Sequence, residues 1–178
     1  MKRRIPAAVI LISIVFSFTG CQENEAFNRF DQWEKEVAKI DAYLAANNLE
    51  AVKDIRGPRM VITELGTGLP ASIFNKVDVD YSGRLFSNNM PFDDGNVKMA
   101  LLDLIEGWQI AFTTLPEGSK ATLYIPSDNA YKDRAQGAIP ANSTLVFDVT
   151  FNEIVHSSNE VARFSNDTTL IETYLENE

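Results

Sequence analysis

The chain has 178 residues, and 45 % of them are hydrophobic, which is enough for one ordinary domain with a core and short attachments. Its formal net charge of −9 at pH 7 excludes nucleic acid as an expected partner, because phosphate contacts depend on clusters of Lys and Arg. One histidine and one cysteine leave no basis for a zinc site, an internal disulfide or a histidine-dependent nucleophile.

The first twenty residues have the pattern of an export signal. A basic cluster at 2–4 precedes an apolar run over 5–18, and a small pair at 19–20 comes directly before Cys21. The apolar run is about fourteen residues long, whereas a bilayer span needs roughly twenty. We therefore predict a cleaved signal peptide at 1–20 and no permanent transmembrane helix there.

The position of Cys21 indicates a lipid anchor. Residues 18–21, Phe-Thr-Gly-Cys, are similar to the lipobox of bacterial lipoproteins, which implies that the Cys21 thiol carries a diacylglyceryl group. An ordinary secretory signal followed by an incidental cysteine is the alternative. Several acyl chains on one residue hold a protein stably on a membrane. The resemblance thus implies a membrane partner and a place in the bacterial cell envelope, at the outer membrane and facing the periplasm or the cell surface.

Residues 21–50 are predicted to form a short tether and one amphipathic helix. Apolar residues recur in alternating steps of three and four, and Asn47 and Asn48, which tolerate a left-handed backbone, are expected at the helix end. The same spacing fits a two-heptad coiled-coil seam, although a coiled coil usually needs three or four heptads. The helix therefore either packs on its own domain or forms a homodimer. Its apolar stripe consists of Phe30, Trp33, Val37, Ile40 and Leu44.

From Arg59 onward the pattern changes to alternation, which predicts half-buried strands. Four such segments occur, at 60–65, 77–82, 120–125 and 145–152. Apolar and polar side chains alternate along them, as expected for an antiparallel sheet with one wet face.

A second helix is predicted between these strand groups, over 98–115. Its apolar residues follow mixed steps of three and four, although Gly107 inside it costs about 1 kcal/mol relative to alanine. Runs of strands with a single crossing helix give an α+β domain. The loop over 127–142 is long enough to suggest a function. The tail over 157–178 is polar, with one short amphipathic segment formed by Leu170, Ile171, Tyr174 and Leu175.

Two acidic segments have simple structural interpretations. Asp78, Asp80 and Ser82 match the opening of a calcium-binding EF-hand loop, but Asn89 stands where that loop needs its bidentate glutamate. We therefore expect wet-face carboxylates on a strand that runs into a turn. Residues 93–96, Asp-Asp-Gly-Asn, have a turn signature, so we expect no carboxylate pair for acid-base chemistry there.

Five ordered blocks stand out in the part of the chain over 59–155. They are 79–85 (Val-Asp-Tyr-Ser-Gly-Arg-Leu), 91–93 (Pro-Phe-Asp), 104–108 (Leu-Ile-Glu-Gly-Trp), 125–131 (Ile-Pro-Ser-Asp-Asn-Ala-Tyr), and 137–140 (Gly-Ala-Ile-Pro) leading to 143–149 (Ser-Thr-Leu-Val-Phe-Asp-Val). In order and spacing they resemble the motifs of FKBP-type peptidyl-prolyl isomerases. Only eleven residues, 94–104, separate the second block from Ile105, so a short pocket rim is expected on that side.

That resemblance implies a fold and a pocket. The fold would be α+β: a curved antiparallel sheet wrapped around one short helix over 51–156, preceded by the amphipathic helix. No cofactor is implied. Trp108 would form the pocket floor, the N–H of Ile105 would bind a substrate carbonyl, and Asp93 and the Tyr131 hydroxyl would supply polar contacts. The remaining wall residues would be Tyr81, Phe92, Leu104, Ile139 and Phe147.

The resemblance also implies an activity, the cis-trans isomerisation of Xaa-Pro bonds. The substrates would be exported polypeptides whose folding waits on proline isomerisation, which is slow without a catalyst. A catalytically weak chaperone or peptide-binding module of the same fold is the alternative. Turnover of a proline-containing peptide separates the two.

Overall fold

Alternating apolar side chains place six strands in one antiparallel sheet. The computed structural model describes residues 28–156, and within that range the strand order is β1-β2-β5-β6-β3-β4. The strands are β1 (Val52–Lys53), β2 (Arg59–Glu64), β3 (Lys76–Leu85), β4 (Pro91–Ala100), β5 (Lys120–Ile125) and β6 (Leu145–Val155). The helices are α1 (Arg29–Ala46) and α2 (Glu106–Phe112), with 3-10 turns at Leu101–Asp103 and Ser127–Asn129. The predicted α+β class, with one short helix against a sheet and a helix before it, is confirmed.

Helices α1 and α2 lie on opposite faces of the sheet. Leu123 of β5 and Phe147 of β6 are paired in register and belong to the main core, together with α2. Their chain neighbours Tyr124 and Val146 point the other way, and they belong to a second buried cluster with α1. The sheet is therefore covered on both faces at the Tyr124 and Val146 end of β5 and β6, and the predicted wet face is kept over the rest of the sheet, as at Lys120 and Asp148.

Helix α1 ends where the sequence predicts, and a polar side chain caps its beginning. The side chain of Asn28 accepts a hydrogen bond from the N–H of Phe30 at 3.0 Å, which caps the first turn. At the other end the helix stops before Asn47, and Asn48 adopts a left-handed backbone with φ of 53°. Both ends thus follow from residues that satisfy free helix-terminal groups.

The apolar stripe of α1 packs on its own domain. Ile40 is 0 % exposed and Leu44 is 2 % exposed, and both contact the cluster of Tyr124 and Val146. Of the two arrangements that the sequence left open, the structure contains this one. A homodimer through α1 stays a prediction, and it would have to use the residues left outside this contact, such as Phe30.

Charged groups strengthen the attachment of α1. Arg59 is buried and donates to both carboxylate oxygens of Asp41, at 2.9 and 3.0 Å, and to the carbonyls of Asp54 and Gly57. The hydrogen bond from Arg59 holds the pKa of Asp41 below its usual value. A bidentate guanidinium-carboxylate pair fixes orientation as well as distance. The helix is therefore held in one register against β2.

The prediction of one helix over 98–115 is wrong at its beginning. Residues 98–100 belong to β4, where Lys98 pairs with Asp78 and Ala100 pairs with Lys76 across the β3–β4 ladder. The ladder and the ion pair from Lys98 Nζ to Asp78 Oδ2, at 2.5 Å, outweigh the local helical pattern. Helical backbone begins only with the 3-10 turn, and α2 itself covers Glu106–Phe112.

Two further expectations on β3 and β4 are corrected. Residues 93–96 form no turn but continue β4, and Gly95, with φ of 152°, lies opposite Tyr81. Asp80 is exposed as expected, whereas Asp78 is only 6 % exposed. Hydrogen bonds from Lys98 and Asn96 lower the pKa of Asp78 and compensate for its burial. The signature of a turn was thus overruled by pairing with a neighbouring strand.

The predictions for the signal peptide, for Cys21 and for the tail over 157–178 lie outside the described residues. Neither of the described α-helices is long and apolar enough to cross a membrane.

The packing of α1 predicts a large effect of one substitution on stability. Replacing Ile40 by alanine removes a fully buried side chain and should lower the free energy of unfolding by about 2–5 kcal/mol. Lys39 is the preceding residue of the same helix and is exposed. Lys39→Ala should therefore change the free energy of unfolding by no more than about 0.5 kcal/mol. Chemical denaturation of both variants measures the difference. If Ile40→Ala changed the free energy of unfolding as little as Lys39→Ala does, α1 would contribute little to the stability of the fold.

Candidate active site

A cavity of about 210 Å³ opens between α2 and the inner face of β3, β4 and β6. Eight of the nine residues predicted from the sequence line it. The ninth, Ile139, is 5 % exposed and belongs to the main core without being part of the cavity wall. The lining consists of Tyr81, Phe92, Asp93, Val97, Asp103, Leu104, Ile105, Trp108, Tyr131 and Phe147.

Four aromatic rings interlock around this cavity. The ring of Trp108, which is 4 % exposed, lies 5.3 Å from Tyr81 and 5.3 Å from Phe147, at interplanar angles of 76° and 84°. Phe92 meets Phe147 at 5.6 Å and 84°. Edge-to-face contacts of this kind stabilise ring pairs by about 0.5–1.5 kcal/mol beyond the area they bury. The rings therefore form a rigid apolar wall with Trp108 at its base.

Two glycines allow these rings to approach the sheet and the helix. A Cβ on Gly107 would lie 2.4 Å from Cγ2 of Ile125, so only glycine lets α2 rest on β5 at this point. A Cβ on Gly83 would lie 2.6 Å from the ring of Phe92 and 2.9 Å from the ring of Phe147. Glycine at position 107 is unfavourable for a helix, and the close packing of α2 on β5 explains why it is nevertheless present there.

The polar side of the cavity combines two phenols and one carboxylate. The hydroxyl of Tyr81 donates to Oδ2 of Asp93 at 2.7 Å. Burial, followed by the bond to Asp93, raises the pKa of Tyr81 to about 12. Burial and the charge of Asp93 also raise the pKa of Tyr131. Both phenols consequently keep their protons at neutral pH and can act as hydrogen-bond donors.

Backbone donors are available at the beginning of α2. Ile105 precedes the helix with an extended backbone, φ of −58° and ψ of 147°, and its N–H has no acceptor among residues 28–156. The indole Nε1 of Trp108 is also buried without a partner among those residues. The carbonyl of Leu104, in contrast, accepts from the side chain of Gln109 at 2.8 Å. The cavity thus offers free donors where an incoming carbonyl could use them.

Tyr131 is positioned by a chain of contacts that begins in α1. Glu36, which is 4 % exposed, accepts from the N–H of Ser127 at 2.5 Å and from its hydroxyl at 2.8 Å. The carbonyl of Ser127 then accepts from the N–H of Lys132, whose φ is 59°. This left-handed residue turns the loop directly after Tyr131. The sequence analysis did not single out Glu36, whose partner is 91 positions away along the chain.

Val97 and Asp103 also line the cavity and were not predicted from the sequence. Val97 is partly buried against the core from β4, a strand that the sequence analysis divided between a turn and a helix. A correct assignment of β4 would have revealed it, because Val97 pairs with Val79 across the ladder. Asp103 lies in the 3-10 turn, and no sequence signal distinguishes it.

The cavity differs from two larger depressions of the described surface. One of about 530 Å³ lies on the outer face of the sheet and is lined mainly by polar residues such as Thr63, Asp80, Lys120 and Thr150. It is shallow. The other, of about 540 Å³, lies beside the first turn of α1. Among residues 28–156, no three His, Cys, Asp or Glu side chains come together as a metal site.

Comparison with known proteins agrees with this geometry. Residues 70–152 match the model of the family described as FKBP-type peptidyl-prolyl cis-trans isomerase. The chain is 35 % identical over 107 residues to FK506-binding protein 1 of Gibberella zeae, a match that covers 54 % of this chain and 96 % of that protein. It is 36 % identical over 118 residues to the FKBP-type peptidyl-prolyl cis-trans isomerase FkpA of Aeromonas hydrophila, covering 62 % of this chain.

The fold is similar to that of a solved bacterial structure. The peptidyl-prolyl cis-trans isomerase of Pseudomonas syringae pv. tomato superposes with a TM-score of 0.60 and 26 % identity, over 74 % of this chain and 98 % of that one. The chain spans only 44 % of the length of the Aeromonas protein, so that relative has regions without a counterpart in the match.

The contact between Tyr81 and Asp93 predicts a measurable titration. Asp93→Asn removes the second cause of the raised pKa, so Tyr81 should titrate at a lower pH, although still above 10.0 because burial remains. Ultraviolet absorbance of tyrosinate, referenced to a Tyr81→Phe protein in each background, isolates this residue. Asp94→Asn is the matched control, because Asp94 makes only a minor charge contribution. An unchanged titration in Asp93→Asn would contradict the assignment.

The same contact predicts how stability depends on alkaline pH. The pKa of Tyr81 is higher in the folded protein than its usual 10.0. The protonated Tyr81 therefore contributes to the free energy of unfolding, and this contribution is fully present below about pH 10. That effect is lost as the pH rises from about 10 through about 12, because the unfolded state releases its proton first. Asp93→Asn should lower the folded-state pKa of Tyr81, so stability should be lost over a narrower pH range. Denaturation at a series of pH values would measure this range.

Proposed function

We propose that this chain, which belongs to the FKBP-type peptidyl-prolyl cis-trans isomerase family, isomerises Xaa-Pro bonds in the cavity above Trp108. One observation carries the proposal: eight residues that the family resemblance selected line a single cavity, with an aromatic floor and free donors at its edge. The proline ring would lie on Trp108, between Tyr81, Phe92 and Phe147.

The rate enhancement that the proposed activity requires is modest. The uncatalysed barrier to rotation is about 18–20 kcal/mol because resonance keeps the amide planar, and relaxation takes tens of seconds. Bringing this to milliseconds requires about four decades, or about 5–6 kcal/mol of preferential transition-state stabilisation. No covalent step and no cofactor are needed for an effect of this size.

An apolar cavity supports rotation through desolvation. The planar amide is strongly dipolar and well hydrated, whereas the twisted amide has lost resonance and much of its charge separation. Transfer out of water therefore penalises the planar ground state more than the transition state. The aromatic rings supply that dry environment, and their interlocking fixes its shape.

The polar groups would orient the chain on either side of the proline. In this proposal the Ile105 N–H and the Tyr131 hydroxyl donate to substrate carbonyls, and Asp93 holds the Tyr81 hydroxyl in place. Leu104 completes the apolar edge, and Ile139 supports the wall from the core. None of these roles transfers a proton to the substrate.

A chaperone or peptide-binding module with weak turnover is the second candidate. The short rim favours it, because residues 94–100 continue β4 as a regular strand and only the turn Leu101–Asp103 separates it from Leu104. A rim of this kind covers less of a bound peptide, so substrate could be held with less desolvation.

We further propose that the enzyme acts in the bacterial cell envelope on exported polypeptides. Cleavage after residue 20 would leave Cys21 as a lipidated N-terminus, with residues 51–156 as the isomerase domain and 157–178 as a tail. Residues 22–27 would then be the only tether before α1, and six residues reach at most about 20 Å. The cavity would accordingly work close to the membrane surface, at the outer membrane and towards the periplasm or the cell surface.

Turnover of a short Xaa-Pro peptide, followed by a protease that cleaves only the trans isomer, tests the proposed activity. Tyr131→Phe should reduce kcat/KM by about one to two decades, as expected if its lost contact stabilises the transition state by about 1.5–3 kcal/mol. Tyr43→Phe is the matched control, because Tyr43 lies on α1 among Phe86 and Tyr124, outside the cavity. Trp108→Ala should abolish most turnover, and denaturation must accompany that assay because large-to-small core changes cost several kcal/mol.

Wild-type protein that is no faster than the uncatalysed reaction would contradict the isomerase proposal. The binding-module candidate would then apply, and Tyr131→Phe should weaken binding of a proline-containing peptide instead.

Lipid attachment is tested by Cys21→Ser in a bacterial host. The variant should move from the membrane to the soluble fraction after cell disruption, because it lacks the thiol that receives the lipid. Metabolic labelling with a radioactive fatty acid should mark the wild type only. Equal membrane association of both proteins would contradict the anchor.

A further inference from the structure

The depression beside the first turn of α1 is a second concave site, with a volume of about 540 Å³. Its walls come from four separate segments: the beginning of α1, the turn before β2, the beginning of α2 and the 3-10 turn Ser127–Asn129. The residues that matter below are Arg29, Phe30, Trp33, Arg56, Glu106 and Asn129.

An aromatic pair forms one wall. The rings of Phe30 and Trp33 stack at 5.7 Å with an interplanar angle of 24°. Trp33 is fixed because its Nε1 donates to the carbonyl of Arg56 at 3.1 Å, whereas Phe30 remains 60 % exposed. A large exposed ring held against a fixed one offers a flat apolar contact for another side chain.

A buried amide oxygen without a partner lies at the base of the site. Asn129 is only 4 % exposed, and the Oδ1 of its side chain is buried without a hydrogen-bond partner among the described residues. Gly57 leaves room for it, since a Cβ there would lie 2.9 Å from Oδ1 of Asn129 and 2.6 Å from Nε1 of Trp33. Buried amide oxygens are nearly always paired, so an unpaired one on a residue that lines a cavity is an available acceptor. An amide oxygen accepts hydrogen bonds, which matches the N–H of a peptide unit.

The two cations beside the site are already paired with carboxylates. Arg29 pairs with Asp128 at 2.8 Å, and Arg56 binds both carboxylate oxygens of Asp54 at 2.8 Å. Neither cation is left for a phosphate or an anionic lipid headgroup. The amide and the aromatic pair therefore favour an uncharged polypeptide over either of these ligands.

The lining residues of this site are close along the chain to those of the proposed isomerase cavity. Glu106 lines the second site, and the preceding residue, Ile105, lines the first. Asn129 lines the second, and Tyr131, two residues later, lines the first. Consecutive Cα atoms are about 3.8 Å apart, so an extended chain of a few residues is long enough to reach from one lining to the other.

We propose that the second cavity is a substrate subsite, which binds the polypeptide a few residues away from the isomerised proline. Asn129 hydrogen-bonds one peptide unit of the substrate, and the Phe30–Trp33 pair binds a large apolar side chain, preferably aromatic. This inference rests on the proposed isomerase function. It gives the isomerase a preference for extended substrate segments that contain an aromatic residue. It also gives α1 a part in substrate recognition.

Two substrates and two variants test the subsite. The substrates are a four-residue Xaa-Pro peptide, which is too short to reach Phe30, and a set of ten-residue peptides with one phenylalanine moved stepwise away from the proline on either side. Phe30→Ala and Asn129→Leu should each reduce the ratio of kcat/KM for the best long peptide over the short one by about five- to tenfold, the loss expected for one contact. Phe74→Ala is the matched control, because Phe74 is 81 % exposed and lines neither cavity.

Asn129→Leu has a second readout that a structural role would not give. The native amide oxygen is buried without a partner, so an apolar side chain of similar size should leave the denaturation midpoint unchanged or higher while long-peptide preference falls. A lower midpoint together with unchanged preference would overturn the assignment of Asn129.

The failure of the subsite and the failure of the isomerase function are distinguishable. If wild type turns over the short peptide but no position of phenylalanine improves the long one, or the variants leave the ratio unchanged, the subsite is wrong and the isomerase stands. If wild type turns over neither, the isomerase proposal fails. The subsite is then tested by calorimetry, which compares the affinity of wild type and of the same variants for the long peptides, and equal affinities would overturn it. If Phe30→Ala alters only sedimentation with phosphatidylglycerol vesicles, the aromatic pair contacts the membrane and the subsite is overturned.

Discussion

The depth of the cavity depends on how closely α2 lies against the sheet, and that distance depends on Gly107. Any side chain at this position would meet Ile125 at 2.4 Å, so the helix could not rest on β5. The next residue, Trp108, is thereby placed at the floor, where Tyr81 and Phe147 hold it edge-on at 5.3 Å. A helix lifted from the sheet would enlarge the cavity and admit water, which would remove the basis of the proposed catalysis by desolvation.

Much of the site could be predicted because its residues carry local signals. Alternation gave β3 and β6, and with them Tyr81 and Phe147, while the family-like blocks supplied the remaining positions. Strand β4 could not be recognised, since the turn preference of residues 93–96 is overruled only by pairing with β3. The buried state of Asp78 was hidden for a similar reason, because its partner Lys98 is supplied by that same strand.

The role of α1 could be predicted least. Its apolar stripe indicated a buried face but not the surface that covers it, and none of its charged residues was singled out from the sequence. The structure uses two of those charges as attachments, Asp41 to Arg59 and Glu36 to Ser127. The second reaches the loop that carries Tyr131, so the helix that follows the proposed membrane tether also helps to shape the proposed catalytic cavity and the proposed subsite. Contacts between residues 91 positions apart have no signal in a single sequence.

The central claim is that rotation is accelerated by a dry aromatic cavity without proton transfer. It is tested most directly by kcat/KM for a short Xaa-Pro peptide from about pH 6 to pH 9, in ordinary and in heavy water, by an uncoupled assay such as NMR exchange. The account predicts a flat profile and nearly equal rates in the two solvents, because the phenol of Tyr81, with its pKa of about 12, and that of Tyr131, with its raised pKa, keep their protons throughout. A bell-shaped profile, or a rate several-fold lower in heavy water, would contradict it by showing that a proton moves in the rate-limiting step.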